Sequence, residues 1–131
     1  MYTPKISIIT VSYNAEKTIF QTIKSVVEQT YSNIEYIIID GNSNDRTVEF
    51  IRLFDAEIAY WESSPDSGIY EAMNKGVNKA TGEWIHFLNS GDVFTSNTVI
   101  ENIVNQNNKA ISVSDVIYGN IICSFSFGKY V

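Results

Sequence analysis

The chain has 131 residues, 44% of them hydrophobic and 18% charged, with a formal net charge of −6. That size and balance fit one soluble globular domain with a single core, and they argue against a nucleic-acid binder, which would present a basic face. An acidic protein that takes a phosphate-bearing ligand needs neutralising help, and a divalent cation would supply it.

"KISIITVSYN" is a β-rich run that closes on polar turn residues. "AEKTIFQTIKSVVEQTY" follows, with Ile19, Ile23, Val26 and Val27 at helical spacing. "IEYIIIDG" is a continuous apolar strand ending in Asp-Gly. "DRTVEFIRLF" sets Val48, Ile51 and Phe54 on one helical stripe, with Asp45 as a natural N-cap. "IAYWES" reads as a third strand. "GIYEAMNKGVNKATG" has the cleanest helical period, carried by Ile69, Ala72, Met73, Gly76, Val77 and Ala80, with Gly82 set to end the helix.

"EWIHFLN" reads as a fourth, buried strand. In "TSNTVIENIVNQNN", Thr98 and Glu101 have capping-box spacing, although Thr95 or Ser96 serves equally as the cap. "DVIYGNIIC" reads as a fifth strand. One cysteine, Cys123, excludes an intrachain disulfide and reads as a core thiol in a reducing compartment. No apolar run approaches the ~20 residues that span a bilayer, and the first strand lacks the cleavage pattern of a leader. A cytoplasmic protein is expected.

Alternation of strand and helix predicts an α/β, Rossmann-like three-layer sandwich with a mostly parallel sheet covered on both faces. Ligands in such sheets sit beyond the carboxyl ends of the strands, where strand order reverses. Polar clusters fall at those ends: Ser12-Tyr13-Asn14, Asp40-Gly41 and Asn89-Ser90-Gly91-Asp92. With the first strand between the second and the fourth, Asp40 and Asp92 flank it across roughly 10 Å. That span suits a nucleotide lying across the sheet edge. One carboxylate can accept from a base N–H, and another can ligate a hard cation that bridges phosphate oxygens.

In order along the chain, "IITVSYNAEKTI", "IIIDGNSNDRT" and "SPDSGIYEAMNKGVNKATGEWIHFLNSGD" resemble the inverting nucleotide-sugar glycosyltransferases of the family 2 type, with the A-type nucleotide-sugar transferase fold. The resemblance covers roughly residues 4 to 120. The wording "DSGIYEAMNKG" is typical of members that build bacterial surface polysaccharides. It implies transfer of a sugar from a nucleoside diphosphate donor, usually a UDP-sugar, to a glycan or lipid-linked hydroxyl acceptor, at the cytoplasmic side of the membrane or on its inner face. It also implies that Asp40 binds the base with Asp45 and Thr47 beside it, that Tyr13 and Asn14 form part of the nucleotide pocket, and that Asp92 holds Mn²⁺ or Mg²⁺ against the diphosphate.

The sequence departs from that pattern in two ways. Asn89 stands where the family's metal motif usually has a carboxylate; an amide can bond a ribose hydroxyl but gives up a negative charge near the metal. The family's acceptor half, with the carboxylate that activates the acceptor, normally lies beyond the point where this chain stops. Residues 1–131 are therefore expected to be a donor-binding domain without its acceptor side, and no catalytic base is assigned. Asp115 falls inside the expected fifth strand.

Plainer roles compete for several of these residues. Asp40 could merely cap the turn into the second helix, Asp92 could be an exposed turn acid, Asp45 serves equally as an N-cap, and Asp66 in "SSPDSG" reads as turn chemistry. Asn74 and Lys75 fall off the apolar stripe and read as solvated surface, and His86, the only histidine, reads as a hydrogen-bonded core residue. A non-catalytic nucleotide-sugar-binding fragment would carry the same pocket as the enzyme. A phosphoacceptor role for Asp40 would want an acidic cluster beside it, where the chain has Ser12-Tyr13-Asn14 instead. Phe125 and Phe127 alternate with serines in the tail and are expected on one face of an extended segment, leaving an apolar edge that favours self-association into a homo-oligomer.

Overall fold

Isoleucine-rich runs build the centre of the sheet. The computed structural model describes residues 2–106 together with the backbone of residues 123–125 and 128–130. β1 (Ile6–Ser12), β2 (Ile34–Asp40), β3 (Tyr60–Ser63) and β4 (Trp84–Phe87) form one sheet in the order β3-β2-β1-β4, every pair parallel. The strand order turns at β1, which lies between β2 and β4, the arrangement under which Asp40 and Asp92 flank it. Register pairs Ser12 with Asp40, and Asp40 in turn with Ser63, so these ends finish level with one another.

Period-2 alternation splits the apolar side chains of β1 and β2 between two layers. On one face Ile6, Ile8, Tyr36 and Ile38 pack with Ile19, Ile23 and Val26 of α1 (Ile19–Val27), Ile51 of α2 (Thr47–Arg52), and Ile100 and Val104 of α4 (Val99–Gln106). On the other, Ile9, Val11, Ile37 and Ile39 pack with Ala72 of α3 (Ile69–Lys79). Ile8, Ile9, Ile38 and Ile39 are 0% exposed, and burial of each contributes about 1.5–3 kcal/mol.

α3 lies close to the sheet because it carries glycine at its contact. A Cβ on Gly76 would sit 2.5 Å from Ile9 Cγ2. Only the middle of the expected stripe is covered: Ala72 and Gly76 are buried, while Ile69 and Val77 are 49% and 38% exposed. The stripe is wider than the β1–β2 surface beneath it.

Several expectations change. Gly82 does not supply a left-handed helix cap; it lets the chain pass β1, where a Cβ would meet Ser7 N at 2.6 Å. Among the described residues β4 is the edge strand of the sheet, and Ile85, His86 and Phe87 are exposed rather than buried. His86 is accordingly no core residue. Its ring stacks on Phe94 at 5.5 Å between centroids, and desolvation by the surrounding protein pushes its pKa below the usual value. Glu101 makes no capping box, because its carboxylate accepts from the Thr30 hydroxyl at 2.7 Å.

Backbones of β5 (Cys123–Phe125) and β6 (Gly128–Tyr130) pair antiparallel as a separate two-stranded sheet. The expected strand over 115–123 up to Cys123, Asp115, and the facing of Phe125 and Phe127 lie outside the described residues, as does the side chain of Cys123. Among the described residues no helix is long and apolar enough to cross a membrane.

Candidate functional site

The polar strand ends converge. Gly41 N–H donates to Ser12 O at 2.9 Å, Ser90 N–H to Val11 O at 3.2 Å, and Ser64 N–H to Asp40 O at 3.0 Å. Beyond them, on the α3 side of the sheet, lies a cleft of about 620 Å³ lined by Ser12, Tyr13, Gly41, Asn42, Asp66 and Asn89, with Ile69 and Ala72 on its apolar side. Tyr13 is 65% exposed and presents a ring to it. Asn14 takes a positive φ of 46° at the turn after β1. Its N–H donates to Ser43 Oγ at 2.8 Å, and its Oδ1 accepts from Asn44 N–H at 3.0 Å, which ties the first strand end to the second.

Asp40 lies at the level of the cleft but does not line it. It is 0% exposed and points to the α1 side of the sheet with Tyr36 and Ile38. Oδ1 accepts from the hydroxyls of Ser12 at 2.8 Å and Ser43 at 2.6 Å. Oδ2 accepts from Ser43 N–H at 2.8 Å and the Ser63 hydroxyl at 2.7 Å. A carboxylate has about four acceptor positions, and all are used. The direct base contact expected of Asp40 therefore has no free lone pair to make it, and a phosphoacceptor role has no access. Ser63 was not legible as a partner, because only the parallel register brings it beside Asp40, whereas Ser43 is a turn partner three residues on.

Asp45 is also engaged by the fold. It accepts from Thr47 N–H at 2.9 Å, from the Thr47 hydroxyl, and from Glu16 N–H at 3.1 Å. Burial works to raise its pKa, but these hydrogen bonds outweigh it and hold it below the usual carboxylate value. The residue directly before α2 is Arg46, yet the carboxylate that satisfies the helix start is the expected one, one position earlier. The Thr47 hydroxyl reaches past it, to accept from Ala15 N–H at 2.8 Å.

Asn89 borders the cleft, and its Oδ1 is buried with no hydrogen-bond partner. Such an atom is costly unless something outside the chain meets it. Asp92 sits three residues on, exposed, with its N–H donating to Asn89 O at 3.0 Å. Among the described residues no three metal-ligating side chains gather anywhere. One exposed carboxylate and one unpartnered amide oxygen do not make a protein cage. They suit a cation that takes most of its ligands from phosphates and water.

Lys75 is not simply solvated: its Nζ donates to Ser64 Oγ at 3.3 Å and Pro65 O at 3.4 Å, which braces the loop carrying Asp66. Asn74, by contrast, is exposed as expected. Asp66 makes the anticipated turn bond, accepting from Gly68 N–H at 3.0 Å, and also lines the cleft.

Comparison with known proteins agrees with the architecture. The fold matches the mannosyltransferase PcManGT from Pyrobaculum calidifontis, solved with GDP-Man and Mn²⁺, with a TM-score of 0.73 at 22% identity over 82% of this chain and 33% of that one. An uncharacterised glycosyltransferase of Mycobacterium tuberculosis is 41% identical over 77% of this chain and 39% of its own length. The Escherichia coli UDP-Glc:alpha-D-GlcNAc-diphosphoundecaprenol beta-1,3-glucosyltransferase WfgD is 33% identical over 95% of this chain and 45% of its own. The chain thus spans less than half the length of these curated relatives. The model for glycosyl transferase family 2 matches residues 7–129. With that match over most of its length, and with the parallel sheet and polar strand ends described above, the chain belongs to glycosyl transferase family 2.

Proposed function

We propose that the cleft at the β1, β2 and β4 ends binds a nucleoside diphosphate sugar, a UDP-sugar, as the donor for transfer to a glycan or lipid-linked hydroxyl in bacterial surface-polysaccharide synthesis. The observation that carries this reading is the buried, unpartnered Asn89 Oδ1 at the border of a 620 Å³ cleft at the strand ends. A ribose hydroxyl or a ligand-borne cation would satisfy that atom. The exposed Tyr13 ring offers a stacking surface to a base. Asn14 holds the β1 and β2 turns together at the cleft, through Ser43 and Asn44.

Asp92, with Asn89 beside it, would hold Mn²⁺ or Mg²⁺ against the diphosphate. When bound, such a cation stabilises the leaving diphosphate as a Lewis acid. The UDP-glucose donor and diphosphoundecaprenol acceptor named for the E. coli relative support a UDP-sugar donor and a lipid-linked acceptor. The Mn²⁺ named with the P. calidifontis enzyme supports the cation.

Calorimetry with UDP tests this. Binding should be strong with Mn²⁺, weak after EDTA, and weak in Asp92→Ala under either condition. Equal binding with and without chelator would remove the metal from the reading. UDP release that requires an added acceptor would separate an enzyme from a donor-binding fragment.

A further inference from the structure

Asp40 is the carboxylate that the sequence pattern offers to the base, yet it is fully buried and its four acceptor positions are taken by Ser12, Ser43 and Ser63. The next residue, Gly41, is on the opposite face of the strand and lines the cleft. It has no side chain to offer, and the space one would need is occupied. A Cβ on Gly41 would lie 3.0 Å from Asp66 Oδ2 and 3.4 Å from Asp66 Oδ1. The carboxylate that reaches this part of the cleft thus comes from the loop after β3 rather than from β2.

Asp66 is held for the task. Gly68 N–H fixes Oδ1 at 3.0 Å, while Oδ2 has no hydrogen-bond partner among the described residues. Lys75 braces the preceding Ser64 and Pro65. The residue is half-buried, so its carboxylate is oriented but still reachable from the cleft.

Resting on the nucleotide-site reading above, we propose that Asp66 reads the base of the donor. Its Oδ2 accepts the imino N–H of uracil, with Gly41 left bare to make room for it. Asp40 is the structural floor under that contact. Uracil presents an N–H where cytosine presents a lone pair, so a carboxylate at this point favours UDP over CDP and an amide relaxes the choice.

The experiment compares UDP and CDP binding by calorimetry, with Mn²⁺ present, in the wild-type chain and in Asp66→Asn, Gly41→Ala and Asp40→Asn. Asp66→Asn should lower UDP affinity tenfold or more while leaving CDP affinity unchanged or raised. Gly41→Ala, which pushes on the Asp66 carboxylate, should shift the UDP-to-CDP ratio the same way by a smaller factor. Asp40→Asn, still folded, should keep the wild-type ratio. A wild-type ratio in Asp66→Asn, or an equal loss for both nucleotides, would overturn the assignment. A ratio lost only in Asp40→Asn would return the base to Asp40. Wild-type protein that binds neither nucleotide would instead overturn the nucleotide-site reading, and this assignment with it.

Discussion

Ser12 and Asp40 are register partners at the ends of β1 and β2, and the serine hydroxyl donates to Asp40 Oδ1 at 2.8 Å inside the protein. The bond joins the two strands where the cleft begins, and Ser63 extends it to β3 at 2.7 Å. An amide at position 40 would turn an N–H₂ group toward donors. The amide oxygen can keep the bonds from Ser43 N–H and the Ser63 hydroxyl, and the Ser12 and Ser43 hydroxyls can turn to accept from the N–H₂, but four bonds to a charged carboxylate become neutral ones. Asp40→Asn is therefore expected to cost about 1–3 kcal/mol of stability. Denaturant titration should register the loss, and unchanged stability would mean that the network tolerates an amide.

The centre of the sheet was readable because β1 and β2 are near-continuous apolar runs, as burial on both faces demands. The polar ends of β1, β2 and β4 were readable because each run closes on polar turn residues, although Ser12 and Asp40 stay buried. The exposure of β4 was not readable, because "WIHF" has the composition of a buried strand, and only its edge position among the described residues leaves it open. Nor could sequence tell that Asp40 faces away from the cleft. Ser12 and Ser63 reach its carboxylate only once three strands are aligned, while Ser43 reaches it from the turn three residues on. Asp66 looked like turn chemistry because it does make a turn bond; its nearness to Gly41 is a tertiary fact.

Two glycines make opposite tests of close packing. At Gly82 a Cβ would meet backbone, Ser7 N at 2.6 Å and Lys5 O at 2.9 Å, and the segment would have to lift off β1. Lifting breaks the Glu83 N–H to Lys5 O bond of 2.8 Å. At Gly76 the obstacle is the Ile9 side chain, which can adjust at an overpacking cost of about 1–3 kcal/mol. Gly82→Ala should lower the melting temperature more than Gly76→Ala. The reverse order in thermal melts would contradict the rigid β1 approach.

Glu35 sets a pH dependence. Its side chain, 12% exposed, accepts from the Ser7 hydroxyl at 2.5 Å and from Thr81 N–H at 2.8 Å, and it pairs with Lys5 at 3.4 Å. Burial works to raise its pKa, but hydrogen bonds from Ser7, Thr81 and Lys5 outweigh this and bring it down to about 2, from an ordinary 4.5. A depressed folded pKa means that the ionised network stabilises fully above pH 4.5 and loses its contribution as pH falls toward 2. Glu35→Gln should be less stable than wild type by about 1–3 kcal/mol at neutral pH. The gap should shrink below pH 4.5 and close near pH 2. A gap independent of pH would mean that shape, not charge, makes the difference.

Asn89 offers the sharpest test of the cation. Its Oδ1 is buried and unpartnered, so Asn89→Asp would bury a second negative charge near Asp92 with nothing to neutralise it. Without metal that variant should melt well below wild type, because an unpaired buried carboxylate is costly. Adding Mn²⁺ with UDP should then raise its melting temperature more than it raises that of wild type, since the new carboxylate gains a cation to bind. Asp92→Ala should show little response to Mn²⁺ in either background. An Asn89→Asp chain whose melting responds to Mn²⁺ and UDP no more than wild type does would separate Asn89 from the metal. The ribose hydroxyl would then be the partner left for its unpaired oxygen.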